Sequence, residues 1–532
     1  MTLLHGFQGG LARLPAVPAS TNLPVQSAFV PPRLYLPVDK DTPLIVASGE
    51  RVLGGQALTE STPAGSAVWH APLAGKIIDV IDHPAPHASG LMTPTLVLEP
   101  DGSNDQVDFH PHGWAGLSVE QLQRQLESAG IIGMGGAGFP TWLKLDGVDR
   151  GSLTTLIING VECEPGISCD DMLMREQPAK VIAATANLAA LLQVDRAVLA
   201  LEDDCPEAFS ALADKLDGVL ANHSRGVELV SVPTRYPSGS EKQLIENLLG
   251  KQLPQGKFPT DIGVVCLNVA TLCAMDDAVV AGRPLTSRVV TVTGDALAQP
   301  QNREVFFGTP VDALIEACGG LSAEVDALVM GGPMMGFALA SPQVPIVKIS
   351  NCILAQRLPV LTSRQPVMPC IRCGDCVPVC PAGLLPQQLY WFARSGEHSK
   401  AERHHLFDCI ECGACAYVCP SQLPLVQYYR AAKSEIRDQR AQLVQADAAR
   451  ERMLARDERL ARREREAAER RLAKRKGRKA TTEKVDTGPS AEVAAAMARA
   501  KSLQQAERNR REPAEENSSS TSRGADSNEM PE

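Results

Sequence analysis

The sequence predicts a multidomain chain that joins α/β and all-β domains and ends in a charged helical tail. Three observations carry this. Before residue 100, apolar runs alternate with Gly and Pro turns, as antiparallel strands require. Between about Leu117 and Thr286, strand-like and helix-like patterns alternate, the mark of an α/β layer fold. Beyond about Ser434 the apolar stripe fades and charge takes over. With 532 residues there is room for several domains, at roughly one per 150 residues. Hydrophobic residues make up 44 % and aromatics only 4 %, so the cores must be aliphatic.

In the first domain, 1–110, the runs Leu44–Ala47, Ala67–Trp69, Lys76–Ile81 and Thr95–Leu98 read as strands. Two half-repeats, Gly49-Glu50-Arg51-Val52-Leu53-Gly54-Gly55-Gln56 and His70-Ala71-Pro72-Leu73-Ala74-Gly75-Lys76, resemble the barrel-sandwich fold of biotinyl and lipoyl carriers. Those carriers expose a modifiable Lys between Met-like neighbours. No Met-Lys-Met turn occurs here, so the domain is read as structural. In the second, 111–286, Leu153–Ile158 and Arg196–Leu201 read as buried strands, and Ser118–Ala129, Lys180–Leu192 and Glu241–Leu249 as helices. The third, 287–350, is a small β unit with a strand at Val289–Val292, a turn at Gly308-Thr309-Pro310 and a short helix at Val311–Ala317.

The fourth domain, 360–435, holds eight of the 15 cysteines in two copies of one spacing. Cys370, Cys373, Cys376 and Cys380 precede Pro381; Cys409, Cys412, Cys415 and Cys419 precede Pro420. The spacing C-x2-C-x2-C-x3-C-P holds [4Fe–4S] clusters in bacterial two-cluster ferredoxins, the fourth Cys of each run reaching across to the other cluster. One cluster is therefore assigned to Cys370, Cys373, Cys376 and Cys419, the other to Cys409, Cys412, Cys415 and Cys380. Zinc is the alternative, but zinc ribbons pair C-x2-C units without a third Cys at the next step. Cys163, Cys169, Cys205, Cys266, Cys273, Cys318 and Cys352 are scattered, which argues for reduced thiols in the cytoplasm. The start, Met1–Gln8, lacks the basic and apolar regions of a signal peptide. No apolar run reaches the ~18 residues of a membrane span. Ala327–Ala340 comes nearest and is broken by Gly331, Gly332, Pro333 and Gly336. A soluble or peripheral protein is expected, with no nucleic-acid partner.

The tail, 436–532, is expected to be helical, then disordered. From Arg450 to Lys479 it carries 14 Lys+Arg against 6 Asp+Glu, spaced for i,i+4 pairs along a solvated helix. Its basic end, Arg470–Lys479, suits either an anionic lipid surface or plain solvent. A further helix is possible at Ala491–Ala506 within a Ser/Asn/Glu-rich stretch.

Two segments of the α/β domain carry chemistry. Gly133-Met134-Gly135-Gly136-Ala137-Gly138-Phe139-Pro140-Thr141 lets backbone approach a flat or phosphorylated ligand, and Lys144 adds a positive charge. The alternative is a tight turn. Asn159-Gly160-Val161-Glu162-Cys163-Glu164-Pro165-Gly166 follows a buried strand, where open α/β sheets place ligands. Its Asn can bond a ring edge and its Glu residues can accept ribose hydroxyls, or the pair sits in a solvated turn.

These segments resemble the flavin- and NADH-binding subunit of respiratory complex I, which carries G-x-G-G-A-G-F-P-T-x-x-K and N-x-x-E-x-E-P-G segments around FMN and nicotinamide. Tyr236-Pro237-Ser238-Gly239-Ser240-Glu241 is similar to its Y-x-x-G-E-E loop, and Asn268-Val269-Ala270-Thr271-Leu272 to its N-V-E-T-L segment. Arg288–Gly320 resembles the β-grasp (SLBB-like) domain that follows there. Met134 stands where that family has Arg, Val161 where it has an acid, and Ser240 where it has the first Glu. Leu145, Asp146 and Gly147 replace an expected aromatic. The resemblance implies that Gly133, Gly135, Gly138, Lys144, Asn159, Tyr236, Gly239, Asn268 and Thr271 hold FMN. It implies that Phe139, Glu162, Glu164 and Glu241 hold NADH or NAD.

Over residues 1 to about 435 the chain is similar to the C-subunit family of the Rnf/Rsx ion-translocating ferredoxin:NAD oxidoreductases. The domain order, Phe7-Gln8-Gly9-Gly10, the Cys163-containing E-C-E-P segment, Gly331-Gly332-Pro333-Met334-Met335-Gly336 and the doubled cysteine run carry this resemblance. It implies a peripheral electron-input subunit on the cytoplasmic face of the bacterial inner membrane. Hydride would pass from NADH to the flavin and single electrons to the two clusters, with no side-chain acid or base required. Integral-membrane and flavin-bearing partner subunits would couple transfer to Na⁺ or H⁺ movement, with ferredoxin as a further partner. The alternatives are a soluble flavin/iron–sulfur cobalamin reductase and a flavin-free, two-cluster adaptor.

Overall fold

The computed structural model describes residues 4–12, 14, 19–62, 67–146, 150–357, 366–482 and 490–508. The chain divides into two compact units, Met1–Arg437 and Asp438–Glu532.

The first unit opens with strands β1 (Leu34–Pro37), β2 (Arg51–Val52), β3 (Gly75–Pro84) and β4 (Met92–Pro100). They form an antiparallel sheet in the order β1-β4-β3-β2. Leu34 and Leu36 alternate with partly exposed neighbours and bury one face against Leu96 and Leu98, the period-2 pattern of a half-buried sheet. Bridges Leu44–Thr59 and Ala57–His70 continue the sandwich beyond the named strands.

Helix α1 (Val119–Ser128) starts at Ser118, whose hydroxyl accepts the Gln121 N–H while the Gln121 side chain accepts the Ser118 N–H. Val119, Leu122 and Leu126 bury one stripe at helical spacing. There follow β5 (Thr155–Gly160), α2 (Cys169–Glu176), α3 (Pro178–Leu192), β6 (Arg196–Glu202), α4 (Pro206–Leu220), β7 (Glu228–Val232), α5 (Glu241–Leu249), β8 (Val264–Asn268) and α6 (Val269–Val280). The four strands are parallel, in the order β7-β6-β5-β8. β5 and β6 are buried almost throughout, as strands covered on both faces must be. Chain order reverses between β5 and β8, which leaves a crevice at their C-terminal ends.

A mixed sheet comes next: β9 (Ser287–Thr293), β10 (Gln301–Phe306), then helix α7 (Val311–Ala317), β11 (Ala327–Met330), β12 (Phe337–Ala338) and β13 (Cys352–Gln356), in the order β10-β9-β13-β11-β12. Central β13 runs parallel to β9 and antiparallel to β11. An end at residue 350 therefore falls short, because it omits the fully buried strand between β9 and β11. Its pairing is long-range, and five residues are too few to announce it locally.

The cysteine-rich segment contributes α8 (Pro386–Arg394), α9 (His398–Arg403), α10 (Ala414–Tyr417) and the start of α11 (Leu425–Thr482). α11 begins well before the expected start of the tail at 436. Leu425, Val426, Tyr429, Ala432 and Ile436 are buried at helical spacing, and the Tyr429 hydroxyl donates to the Pro386 carbonyl at 2.6 Å. In the second unit α11 continues with exposed, charged residues, and α12 (Ala491–Arg508) buries none. No helix among the described residues is long and apolar enough to cross a membrane.

One buried cation ties the first unit together. Lys348 is 3 % exposed; its Nζ donates to the carbonyls of Val68 (2.7 Å) and Gly130 (2.8 Å) and lies 5.0 Å from the Trp69 ring centre. Thus the mixed sheet, the barrel sandwich and the turn after α1 meet at one ammonium. Lys348→Met leaves two buried carbonyls unpaired, and is expected to cost about 2–4 kcal/mol, read as a lower denaturant midpoint at unchanged slope.

Candidate functional site

Four segments converge at the C-terminal ends of β5 and β8. The glycine loop is closed at its base, where the Gly133 N–H donates to the Phe139 carbonyl at 2.8 Å. Its Met134 N–H donates to Thr271 Oγ1 at 2.9 Å, which ties the loop to the first turn of α6. Asn268 caps that helix, accepting from the Ala270 and Thr271 N–H groups, and its amide donates to Asp170. Gly135 packs against Asn268, while Gly136, at φ +99°, has open space where a side chain would project. The loop thus offers bare backbone at the crevice, the geometry a flavin phosphate or ring requires.

Asn159, at the end of β5, donates to the Gly239 carbonyl at 2.8 Å. A side chain at Gly239 would collide with the Val161 carbonyl, so only Gly allows these two loops to pack. Lys144 follows the loop in a short 3-10 turn (Thr141–Leu145). Its Nζ lies 3.3 Å from the Glu241 carboxylate at the start of α5 and 3.0 Å from the Cys266 carbonyl. Phe139 packs against Phe258, an exposed aromatic that motif reading did not single out, with ring centres 6.2 Å apart.

Glu162 and Glu164 take up different work from the ribose contacts expected of them. Glu162 accepts the N–H groups of Asp170 and Asp171 at the start of α2. Part of the residue surface stays accessible, but its carboxylate is crowded by protein, and burial with the neighbouring Asp170 charge pushes its pKa up. Burial raises Asp170 too, against the Asn268 amide and the Arg288 charge. Glu164 accepts the N–H groups of Met334 (3.1 Å) and Met335 (2.6 Å). Gly332 lies so close to this carboxylate that any side chain would strike it. Burial lifts Glu164 to about 7, with the two N–H groups pulling the other way. The glycine-dense run from Gly331 to Gly336 was visible in the sequence; its partner, some 170 residues earlier, was not.

The eight run cysteines line two cavities. Cys380, Cys409, Cys412 and Cys415 face one, together with Leu384, Leu389 and Tyr429. Cys370, Cys373, Cys376 and Cys419 face the other, beside Ile371 and Leu423. Four thiols around each apolar cavity make a donor set suited to an iron–sulfur cubane. The first cavity is the deeper: Cys412, Cys415 and Cys419 are buried, whereas Cys373 is exposed.

Tyr236 connects the two regions. Its hydroxyl donates to the Cys412 carbonyl, and its ring packs in a cluster with Met334, Cys412, Ala414, Cys163 and Val379. Its polar end is therefore committed to the cysteine loop. The N-terminal segment seals this junction: Gly10 N–H donates to the Val379 carbonyl, and Leu11 pairs with Tyr236 through both backbone groups. Arg235 stacks over Phe7 at 5.1 Å.

Four family models match the chain in order. They are the RnfC barrel sandwich hybrid domain over 5–103, the Nuo51 FMN-binding domain over 126–277, the SLBB domain over 289–338 and the 4Fe-4S dicluster domain over 369–423. Together with the site they define a class, electron-transfer proteins that fuse a flavin domain to a dicluster domain. The relatives are more specific. The ion-translocating oxidoreductase complex C-subunit of Pseudomonas aeruginosa is 45 % identical over 86 % of this chain and 59 % of its own length. That of Yersinia enterocolitica is 45 % identical over 85 % and 65 %. That of Serratia proteamaculans is 43 % identical over 93 % and 69 %. The chain belongs to the C-subunit family of ion-translocating oxidoreductase complexes. It spans less than two thirds of the length of the first two of these relatives. Among solved structures, an air-oxidised NAD⁺-reducing [NiFe]-hydrogenase aligns at 20 % identity and a TM-score of 0.41, covering 60 % of this chain and 62 % of that one.

Glu164 gives the site a pH signature. Its folded pKa lies above the free value of 4.5, so the native state holds the proton more tightly. Its contribution to stability is full below about 4.5 and is lost as pH rises through about 7. In Glu164→Gln this decline is expected to vanish, removing on the order of 1–3 kcal/mol of pH dependence. Urea midpoints at pH 5 and pH 8 measure it.

Proposed function

We propose that the chain is the peripheral electron-input subunit of a membrane-bound ion-translocating oxidoreductase. It passes electrons between NADH and ferredoxin or membrane subunits through FMN and two [4Fe–4S] clusters, and partner subunits couple the transfer to ion movement. The observation that carries this reading is the junction at Tyr236. There a glycine loop at a sheet switch point and a cysteine-lined cavity share one buried cluster of side chains. The relatives' names, each the C-subunit of a complex, support the multi-subunit setting and the cytoplasmic face of the inner membrane as the place of work.

FMN, when bound, interconverts a hydride pair and single electrons. Gly133, Gly135 and Gly138 leave backbone bare toward it, and Thr271 and Asn268 fix that backbone to α6. Lys144 supplies the cation for its phosphate, with Glu241 and the Cys266 carbonyl orienting the ammonium meanwhile. Asn159 and Gly239 hold the two facing loops together. The exposed Phe139–Phe258 pair offers the nucleotide an aromatic surface. Glu162 and Glu164 contribute by fixing α2 and the Met334 loop, and Tyr236 by fixing the Cys412 loop. The two thiol quartets hold the clusters.

The test is anaerobic purification followed by iron, acid-labile sulfide and flavin analysis and an NADH titration read by EPR. About eight iron and one FMN per chain, with clusters reduced by NADH, is the expected result. Eight iron without flavin or NADH response would reduce the chain to an adaptor. Lys144→Ala removes a charged phosphate contact worth about 1.5–3 kcal/mol. It is expected to bind FMN roughly tenfold to a hundredfold more weakly while keeping its iron, as flavin fluorescence after gel filtration would show.

A further inference from the structure

The two cysteine runs are near copies. Cys370-Ile371-Arg372-Cys373-Gly374-Asp375-Cys376 matches Cys409-Ile410-Glu411-Cys412-Gly413-Ala414-Cys415 at every position but the third and sixth. Their backbones match as well: Arg372 and Glu411 adopt φ of +57° and +59°, Gly374 and Gly413 of +90° and +79°. What differs is the surrounding charge. Arg372 stands on an exposed loop. Glu411 is clamped by two cations of α11, three residues apart on one helix face. Lys433 Nζ lies 2.8 Å from Glu411 Oε1 and 2.6 Å from the Cys409 carbonyl, and only 6 % of its side chain is exposed. Arg430 Nε lies 2.9 Å from the other Glu411 oxygen.

We propose that Lys433 is a positioning and tuning residue that sets the reduction potential of the cluster held by Cys380, Cys409, Cys412 and Cys415, with Glu411 as its counterweight. The inference rests on the reading that each thiol quartet holds a [4Fe–4S] cluster. One-electron reduction adds a single negative charge to the cluster, breaks no bond and takes up no proton. A buried cation beside a ligand's carbonyl favours that added charge, and net charge together with solvent exposure tunes such clusters. Two cations against one carboxylate leave this loop one positive charge in excess. The exposed run lacks the clamp, and water screens its own charges. The fold thus gives two identical ligand sets unequal electrostatic surroundings.

The experiment is a potentiometric titration, read by EPR, of wild type, Lys433→Met, Lys433→Arg and Glu411→Gln, each first assayed for iron and sulfide. Wild type with about eight iron per chain establishes the underlying reading; wild type without clusters ends both the reading and this inference. With iron retained, Lys433→Met should move one of two cluster potentials downward, Glu411→Gln should move the same one upward, and Lys433→Arg should restore it. The other cluster should shift much less. Shifts of the same sign in Lys433→Met and Glu411→Gln, or none in either, overturn the proposal, because a purely structural clamp has no reason to give opposite signs. If Lys433→Met loses iron, Glu411→Gln decides alone: an upward shift of one cluster supports the proposal and an unmoved potential overturns it.

Discussion

Everything at the site depends on a meeting of three chain segments around Tyr236. The ring fills the space between the loop after β5, the Met334 loop of the mixed sheet and the Cys412 loop. The hydroxyl satisfies a carbonyl that burial would otherwise leave unpaired, a defect costing about 1–3 kcal/mol. Glu164 reinforces the same point by accepting two N–H groups of the Met334 loop. Apolar contact brings the surfaces together, and these few polar bonds fix their register. A carrier that hands on electrons needs such fixed spacing more than it needs acid–base groups, which fits a site without an evident general acid or base.

Much of the fold was legible because its signals are local. β5 and β6 declare themselves as unbroken aliphatic runs, and α1 by a Ser–Gln capping box followed by an apolar stripe. The cysteine spacing is legible for a chemical reason, since thiols that share one cubane must sit a fixed few residues apart. The two cavities group the cysteines as that spacing pairs them. The glycine loop stood out by density alone.

Partnerships across sequence were not legible. Nothing near Glu164 announces Met334 and Met335, and nothing near Tyr236 announces Cys412. A pair of Glu before Pro-Gly looks like a wet turn, and only the folded chain turns both carboxylates onto backbone N–H groups. β13 was missed for the same reason, since its place is decided by β9 and β11. The start of α11 was missed because Leu425, Val426, Tyr429, Ala432 and Ile436 were read with the cysteine domain, while the helix itself runs on into the charged stretch.

The interleaving of the two cysteine runs bears on how the protein matures. Each cavity takes three walls from one run and the fourth from the other, with α8 and α9 between them in sequence. A nascent chain that has emerged only as far as α9 therefore presents an open three-sided cup and one stray thiol. Neither enclosure closes before the second run arrives, so the metal-loading machinery meets a complete vessel only after the whole segment is synthesised. Interleaving thereby acts as a checkpoint on order of assembly, written into the topology and independent of the affinity of either cup.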